Sequence, residues 1–116
     1  MIIGAHTVVF SEDPAAARTF FADVLGLRAV DAGGGWLIFA LPPAELACHP
    51  AEGESERHEL FLMCDDLDAT MADLQAKGVE FVAPVSVEAW GRVTRLRVPG
   101  GGDLGLYEPR HPTAHG

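Results

Sequence analysis

Apolar and polar positions divide the chain into two similar runs. Residues 2–10 are rich in β-branched side chains and read as a strand, with His6, Val8 and Phe10 on one face and Ala5, Thr7 and Val9 on the other. The period then changes. Ala17, Phe20, Phe21, Val24 and Leu25 recur at helical spacing behind Asp13-Pro14, an N-cap followed by a first-turn proline. Gly26 is suited to the left-handed conformation that stops such a helix. Short strands follow at residues 28–31, 36–41 and 45–49, separated by Gly33-Gly34-Gly35 and Pro42-Pro43. Residues 49–57, with Pro50, Gly53 and alternating Glu52, Glu54 and Glu56, read as a solvated connection.

The second run repeats the plan. Residues 59–64 form a strand with Glu59, Phe61 and Met63 on one face and Leu60, Leu62 and Cys64 on the other. Asp66 or Asp68 caps a helix whose stripe is Leu67, Met71 and Leu74. Strands at 80–85, 92–98 and 103–108 follow, joined through Trp90-Gly91 and through Pro99 and its three glycines. Registering Asp13 on Asp66 places His6 on Glu59. Each helix then ends at a glycine followed by an apolar residue, Gly26-Leu27 and Gly78-Val79. The order is βαβββ twice: module 1 about 1–52, module 2 about 57–110, and a loose tail at 111–116. Each module alone leaves an apolar face open, and pairing the two buries it, giving one α+β domain with helices outside curved sheets.

Composition narrows the function. A chain of 116 residues with 48% apolar and 22% charged residues builds one core, not two. A net charge of −9 argues against nucleic acid and against an anionic membrane surface. No apolar run reaches a membrane-spanning length and no basic segment marks a signal peptide, so the expected location is cytoplasmic. Cys48 and Cys64 sit among apolar neighbours without metal-finger spacing, as buried thiols of a reducing compartment do. The triple glycine is followed by a strand, whereas a phosphate cradle needs a helix there, so it reads as a hairpin turn.

Taken in order, several motifs resemble the vicinal oxygen chelate superfamily of glyoxalases, bleomycin-resistance proteins and extradiol dioxygenases. They are His6 with Asp13 seven positions on, Phe20-Phe21-Ala22-Asp23-Val24-Leu25-Gly26-Leu27 and Asp65-Asp66-Leu67-Asp68. Lys77-Gly78-Val79-Glu80-Phe81 and the ending Leu104-Gly105-Leu106-Tyr107-Glu108-Pro109 complete the set. The resemblance implies a glyoxalase-like fold, with the two modules pairing into a curved, partly closed mixed sheet, and a homodimer. It also implies a divalent metal held by one residue from the first and last strand of each module, which a substrate chelates through adjacent oxygens.

Those four positions are His6, Ala47, Glu59 and Gly105. A catalytic metal generally wants three protein ligands and an open position. His6 and Glu59 supply two. His49 and Tyr107, each two residues beyond a missing ligand on the same strand face, are candidates for a third, though His49 sits roughly 6–7 Å along the strand. The balance falls against a tightly held ion, whether zinc, nickel, iron or manganese. Two functions remain open. One is a metal-dependent lyase, isomerase or dioxygenase acting on a small oxygenated metabolite, with Glu59 or His49 moving the proton. The other is a metal-free protein that sequesters a small molecule or antibiotic in the groove between modules. Ala47 and Gly105 leave room in such a groove, and Phe10, Phe61, Met63, Trp90 and Tyr107 are its expected walls.

Overall fold

The computed structural model describes residues 7–45, 47 and 58–112. His6, Cys48 and the whole acidic connection at 49–57, His49 included, lie outside the described residues.

The second module forms a complete sheet. Strands β3 (Phe61–Met63), β4 (Ser86–Glu88), β5 (Gly91–Val98) and β6 (Gly102–Pro109) stand in the order β3-β6-β5-β4. β6 is central: it pairs parallel with β3 and antiparallel with β5 along its whole length. Alternation gives β5 and β6 two faces. Thr94, Leu96, Val98, Leu104 and Leu106 turn to the helices and are buried. Gly105, Tyr107, Val93 and Arg95 share the opposite face, in register with Phe61 and Met63 of β3.

Helix α2 (Leu67–Ala76) covers the first face through Leu67 and Leu74, with Met71 half-buried beside them. Asp66 is its cap, accepting from the Ala69 amide at 3.0 Å. The carboxylate of Glu108, on β6, also reaches the helix and accepts from the Leu67 amide at 3.0 Å. Two otherwise orphaned N–H groups are thus satisfied, one locally and one from the sheet.

Helix α1 (Pro14–Thr19) lies against the same core through Ala17 and Phe20. It starts as expected, Asp13 accepting from the Ala16 amide at 3.1 Å. It then widens into a π-turn at Phe20–Val24, where the Leu25 amide donates to the Phe20 carbonyl, before Gly26 ends it at φ 70°. Helical periodicity does not distinguish an α from a π turn over so short a run. The π-turn brings Phe21 to Phe39, with ring centres 5.8 Å apart. Phe39 belongs to the hairpin of β1 (Ala29–Asp31) and β2 (Leu37–Phe39). Arg18 adds a second tie, its guanidinium 5.2 Å from the Trp36 ring centre. At the hairpin turn the Asp31 carboxylate accepts from the amides of Gly33 and Gly35, so the chain's own anion fills the glycine loop.

Two strand expectations need correcting. Residues 7–10 form no ladder; Val8 and Phe10 are exposed, and no strand of the described residues runs beside them. The chain is pinned just afterwards. The Glu12 amide donates to the Gly100 carbonyl and Ser11 Oγ to the Pro99 carbonyl, each at 2.8 Å, which docks the start of α1 on the β5–β6 turn. The strand expected at 80–85 is displaced to Ser86–Glu88. Phe81 bridges Leu96, but Pro84 has no N–H for a ladder, and the register with β5 slips across residues 83–85. Buried Thr94 fills the slip, its hydroxyl donating to the Ala83 carbonyl at 2.8 Å.

Arg92 of β5 reaches the first turn of α2 and donates to both carboxylate oxygens of Asp68, at 3.1 and 3.0 Å. The hydrogen bonds, and then the charge, of Arg92 hold the Asp68 carboxyl below its usual range. A carboxylate with a lowered folded-state pKa stabilises fully above its unfolded pKa, and the contribution fades as pH falls through the folded value. The urea midpoint of the wild type is therefore expected to exceed that of Asp68→Asn above about pH 5, and the gap to close as pH falls below about 4. Denaturation series across that window, with Arg92→Met as the partner variant, check this.

Candidate functional site

The sheet face opposite the helices carries a cluster of aromatic rings. β3 presents Phe61, β6 presents Tyr107, and the turn before β5 brings Trp90 to both. The three rings meet edge to face. Phe61 and Tyr107 lie 6.0 Å apart, Trp90 and Tyr107 5.3 Å, and Phe61 and Trp90 6.3 Å. Such contacts set the positive edge of one ring against the negative face of another. Trp90 is held in turn by its backbone carbonyl, which accepts from the Arg110 amide at 2.9 Å.

Gly105 permits this arrangement. It faces Phe61 across the β3–β6 ladder, and a Cβ there would run into Phe61 Cδ1 and Cε1. The expectation that Gly105 leaves open room is therefore corrected: the Phe61 ring occupies that room. Met63, one pleat further along β3, faces Tyr107 and is 40% exposed.

Tyr107 is the polar end of the cluster. Its hydroxyl lies 3.1 Å from His111 Nε2, and the two rings stack at 5.9 Å. His111 Nδ1 lies 2.8 Å from the Pro112 carbonyl, which can only accept, so Nδ1 carries the hydrogen. The second ring nitrogen, Nε2, shares its hydrogen bond with the Tyr107 hydroxyl. Burial, and secondarily the negative charge of Glu45 from the first module, push the Tyr107 phenol above its usual pKa and keep it a neutral donor. His111, at the start of the tail, thus lies against the site, while residues 113–116 lie outside the described residues. The only sequence signal was its spacing of four residues from Tyr107.

Arg95 closes the other side. It faces Gly105 in the β5–β6 ladder, and its guanidinium lies 5.9 Å from the Phe61 ring centre. Nearby Cys64 lies across the sheet from the rings; burial chiefly raises its pKa, and it stays a thiol near the Tyr107 carbonyl.

Of the expected site residues, Phe61, Trp90, Gly105 and Tyr107 come together and Met63 borders them. Phe10 does not join: it is 89% exposed and takes part in none of the cluster's ring contacts. Ala47 and Glu59 are exposed. His6 and His49 lie outside the described residues, so the pairing of His6 with Glu59 does too. Among the described residues, no three of His, Cys, Asp and Glu are grouped to hold a metal ion. A shallow groove on the helix side, of about 370 Å³, is lined by Thr19, Phe20, Val24, Lys77 and Arg97 among others. It lies away from the aromatic face, and its charged groups are held in ion pairs, Arg97 with Glu80 and Lys77 with Asp73.

The profile of the glyoxalase/bleomycin resistance protein/dioxygenase superfamily matches residues 4–104. The chain belongs to this superfamily. Among solved structures, the antibiotic-binding protein TnmS3 from Streptomyces sp. CB03234 superposes with a TM-score of 0.67 at 27% identity, covering 94% of this chain and 98% of the other. A glyoxalase/bleomycin resistance protein from the same Streptomyces gives 0.59 at 27% identity, covering 85% and 94%. Lactoylglutathione lyase from Agrobacterium tumefaciens gives 0.60 at 19% identity, covering 91% and 92%, a likeness of fold alone. No curated protein sequence matches the chain significantly. Superfamily membership accounts for the βαβββ order of the second module. No helix among the described residues is long and apolar enough to cross a membrane.

Replacing Gly105 by Ala is expected to expel the Phe61 ring and to cost about 1–3 kcal/mol by overpacking. In Phe61→Ala the same substitution is expected to cost much less, because the obstructing ring is gone. A double-mutant cycle in urea measures the coupling; additive effects of the two changes would show that the ring does not sit on Gly105.

Proposed function

We propose that this protein binds a flat, largely apolar small molecule against the Phe61–Trp90–Tyr107 face, and that it sequesters the molecule without a catalytic metal. The observation that carries the reading is the Phe61 ring over Gly105. At one of the positions where the family resemblance places a metal ligand, a stacking surface stands instead. Ala47 removes a second side-chain donor. His6 and Glu59 are then two donors where a catalytic site needs three; a third would have to come from His49, roughly 6–7 Å along the strand, or from Tyr107, whose hydroxyl is engaged with His111, a poor fit for such a group. An aromatic wall with a few polar groups at its margins is what a small-molecule site generally requires. The antibiotic-binding relative, at 27% identity over nearly the whole chain, supports a small-molecule ligand.

The test is a titration of chelator-treated protein with polycyclic aromatic antibiotics, followed by Trp90 fluorescence in a Trp36→Phe background and by thermal shift. Saturable quenching with a raised Tm is expected, and Phe61→Ala should weaken binding about tenfold. Stoichiometric divalent metal in untreated protein, with no binding once it is stripped, would favour the metal-dependent enzyme instead.

We further propose that the chain works as a homodimer. Val30, Trp36 and Ile38 of the hairpin and Val87 of β4 are large apolar side chains left exposed in the single chain, and a partner copy would cover such side chains. Sedimentation equilibrium should give twice the chain mass, and Trp36→Glu should shift the protein toward monomer. A monomeric wild type at micromolar concentration rules the dimer out.

A further inference from the structure

We propose that Arg95 is the anion-recognising end of the aromatic site, so that the ligand class is a planar aromatic molecule bearing an acidic oxygen group such as a carboxylate, sulfonate or phenolate. This rests on the reading that the Phe61–Trp90–Tyr107 face is the binding surface.

Phe61, Gly105 and Arg95 form one row across β3, β6 and β5. With no side chain at 105, nothing stands between the ring and the guanidinium, whose carbon lies 5.9 Å from the ring centre. A molecule stacked on the cluster therefore meets Arg95 at its margin. The acidic balance of the chain makes that cation notable: 17 carboxylates against eight Lys and Arg. Of the other cations near the sheet, Lys77 pairs with Asp73 at 3.3 Å, Arg92 with Asp68 at 3.0 Å and Arg97 with Glu80 at 3.6 Å, while Arg110 lies just past β6 at the Trp90 end. Arg95 has no carboxylate partner among the described residues. Its polar partner there is the Asp103 backbone carbonyl, which Nη2 approaches at 3.2 Å. That contact fixes one arm of the fork and leaves most of its N–H donors for a ligand.

The chemistry favours an oxyanion. Guanidinium is planar, weakly hydrated and shaped for two parallel hydrogen bonds to a carboxylate or sulfonate. The Phe61 ring shields one flank from water, which strengthens a charge-assisted bond formed there. Arg97, two residues on, is engaged by Glu80 at the helix-side groove and does not compete. At the opposite margin the Tyr107 hydroxyl is engaged with His111, 3.1 Å from Nε2.

Two fluorescent dyes with the same ring body test this: anionic 8-anilinonaphthalene-1-sulfonate and neutral N-phenyl-1-naphthylamine. Arg95→Met keeps the apolar stem and removes the fork. It is expected to weaken the sulfonate dye about tenfold, as loss of a charged hydrogen bond does, and to leave the neutral dye within about twofold. Arg95→Lys should fall between. Arg28→Met, an exposed change of the same net charge, should affect neither dye, and thermal melts of all variants establish that they are folded. Equal effects of Arg95→Met on both dyes, or an equal effect of Arg28→Met on the sulfonate dye, would overturn the proposal. If Phe61→Ala still weakens both dyes, the aromatic site itself stands. Failure of both dyes to bind the wild type saturably would overturn the site and the anion preference together.

Discussion

Everything described above depends on the alternation along β6. Leu104 and Leu106 turn toward the helices, and Gly105 and Tyr107 turn away, on a strand paired along both edges. The register cannot slip by one residue, because a slip would expose the leucines and drive Tyr107 into the core. Burial of apolar surface on one side thus fixes the geometry of the aromatic face on the other. The helices reinforce this. Glu108, the next residue after Tyr107, caps α2 through the Leu67 amide, and so ties the end of the site strand to the element that covers its back. Losing that carboxylate would free the helix end and the strand end together.

The first module contributes differently. Its helix shares the core through Ala17 and Phe20, yet its hairpin makes no ladder with the four-stranded sheet. The links are side-chain contacts, Phe21 with Phe39 and Arg18 with Trp36, and the backbone hydrogen bond between Glu12 and the Gly100 turn. Ring and cation–π contacts tolerate small rotations far better than a ladder does, so this hairpin is the less constrained part of the described structure. The charge of Glu45, felt at Tyr107, is the first module's described influence on the aromatic face.

How much was legible in the residues follows from the range of the forces involved. Caps and stops are local, and Asp13, Asp66, Gly26 and Gly78 behave as their side chains or φ angles dictate. The long strands at 91–98 and 102–109 carry enough alternation to be read directly. Residues 7–10 and 80–85 misled because β propensity describes side chains, whereas a ladder needs a partner backbone and free amides. The aromatic walls were legible as strand-face residues, and Phe61, Met63 and Tyr107 fell where alternation put them. The fit of Phe61 over Gly105 was not legible, because a missing side chain reads equally as open space or as a neighbour's seat. Nor was His111, whose place depends on the chain turning back on Tyr107. Periodicity does not encode such a turn.

That ambiguity at Gly105 bears on how a superfamily with a shared frame can carry different chemistries. The frame sets which side chains face one another across β3 and β6, not what they are. An acid at position 105 opposite a small neighbour would present an oxygen donor to the face. A glycine opposite phenylalanine presents a ring. The two cannot coexist here, since even a methyl at 105 meets the Phe61 ring. Donor chemistry and stacking are therefore mutually exclusive at this position on steric grounds alone. A chain with glycine at 105 and phenylalanine at 61 has its second module arranged for surface contact with a ligand, not for ligation at that point. The edge-to-face contacts with Trp90 and Tyr107 then hold the ring in one orientation, so a flat ligand would find its surface already ordered, at a lower entropic cost than a mobile side chain imposes.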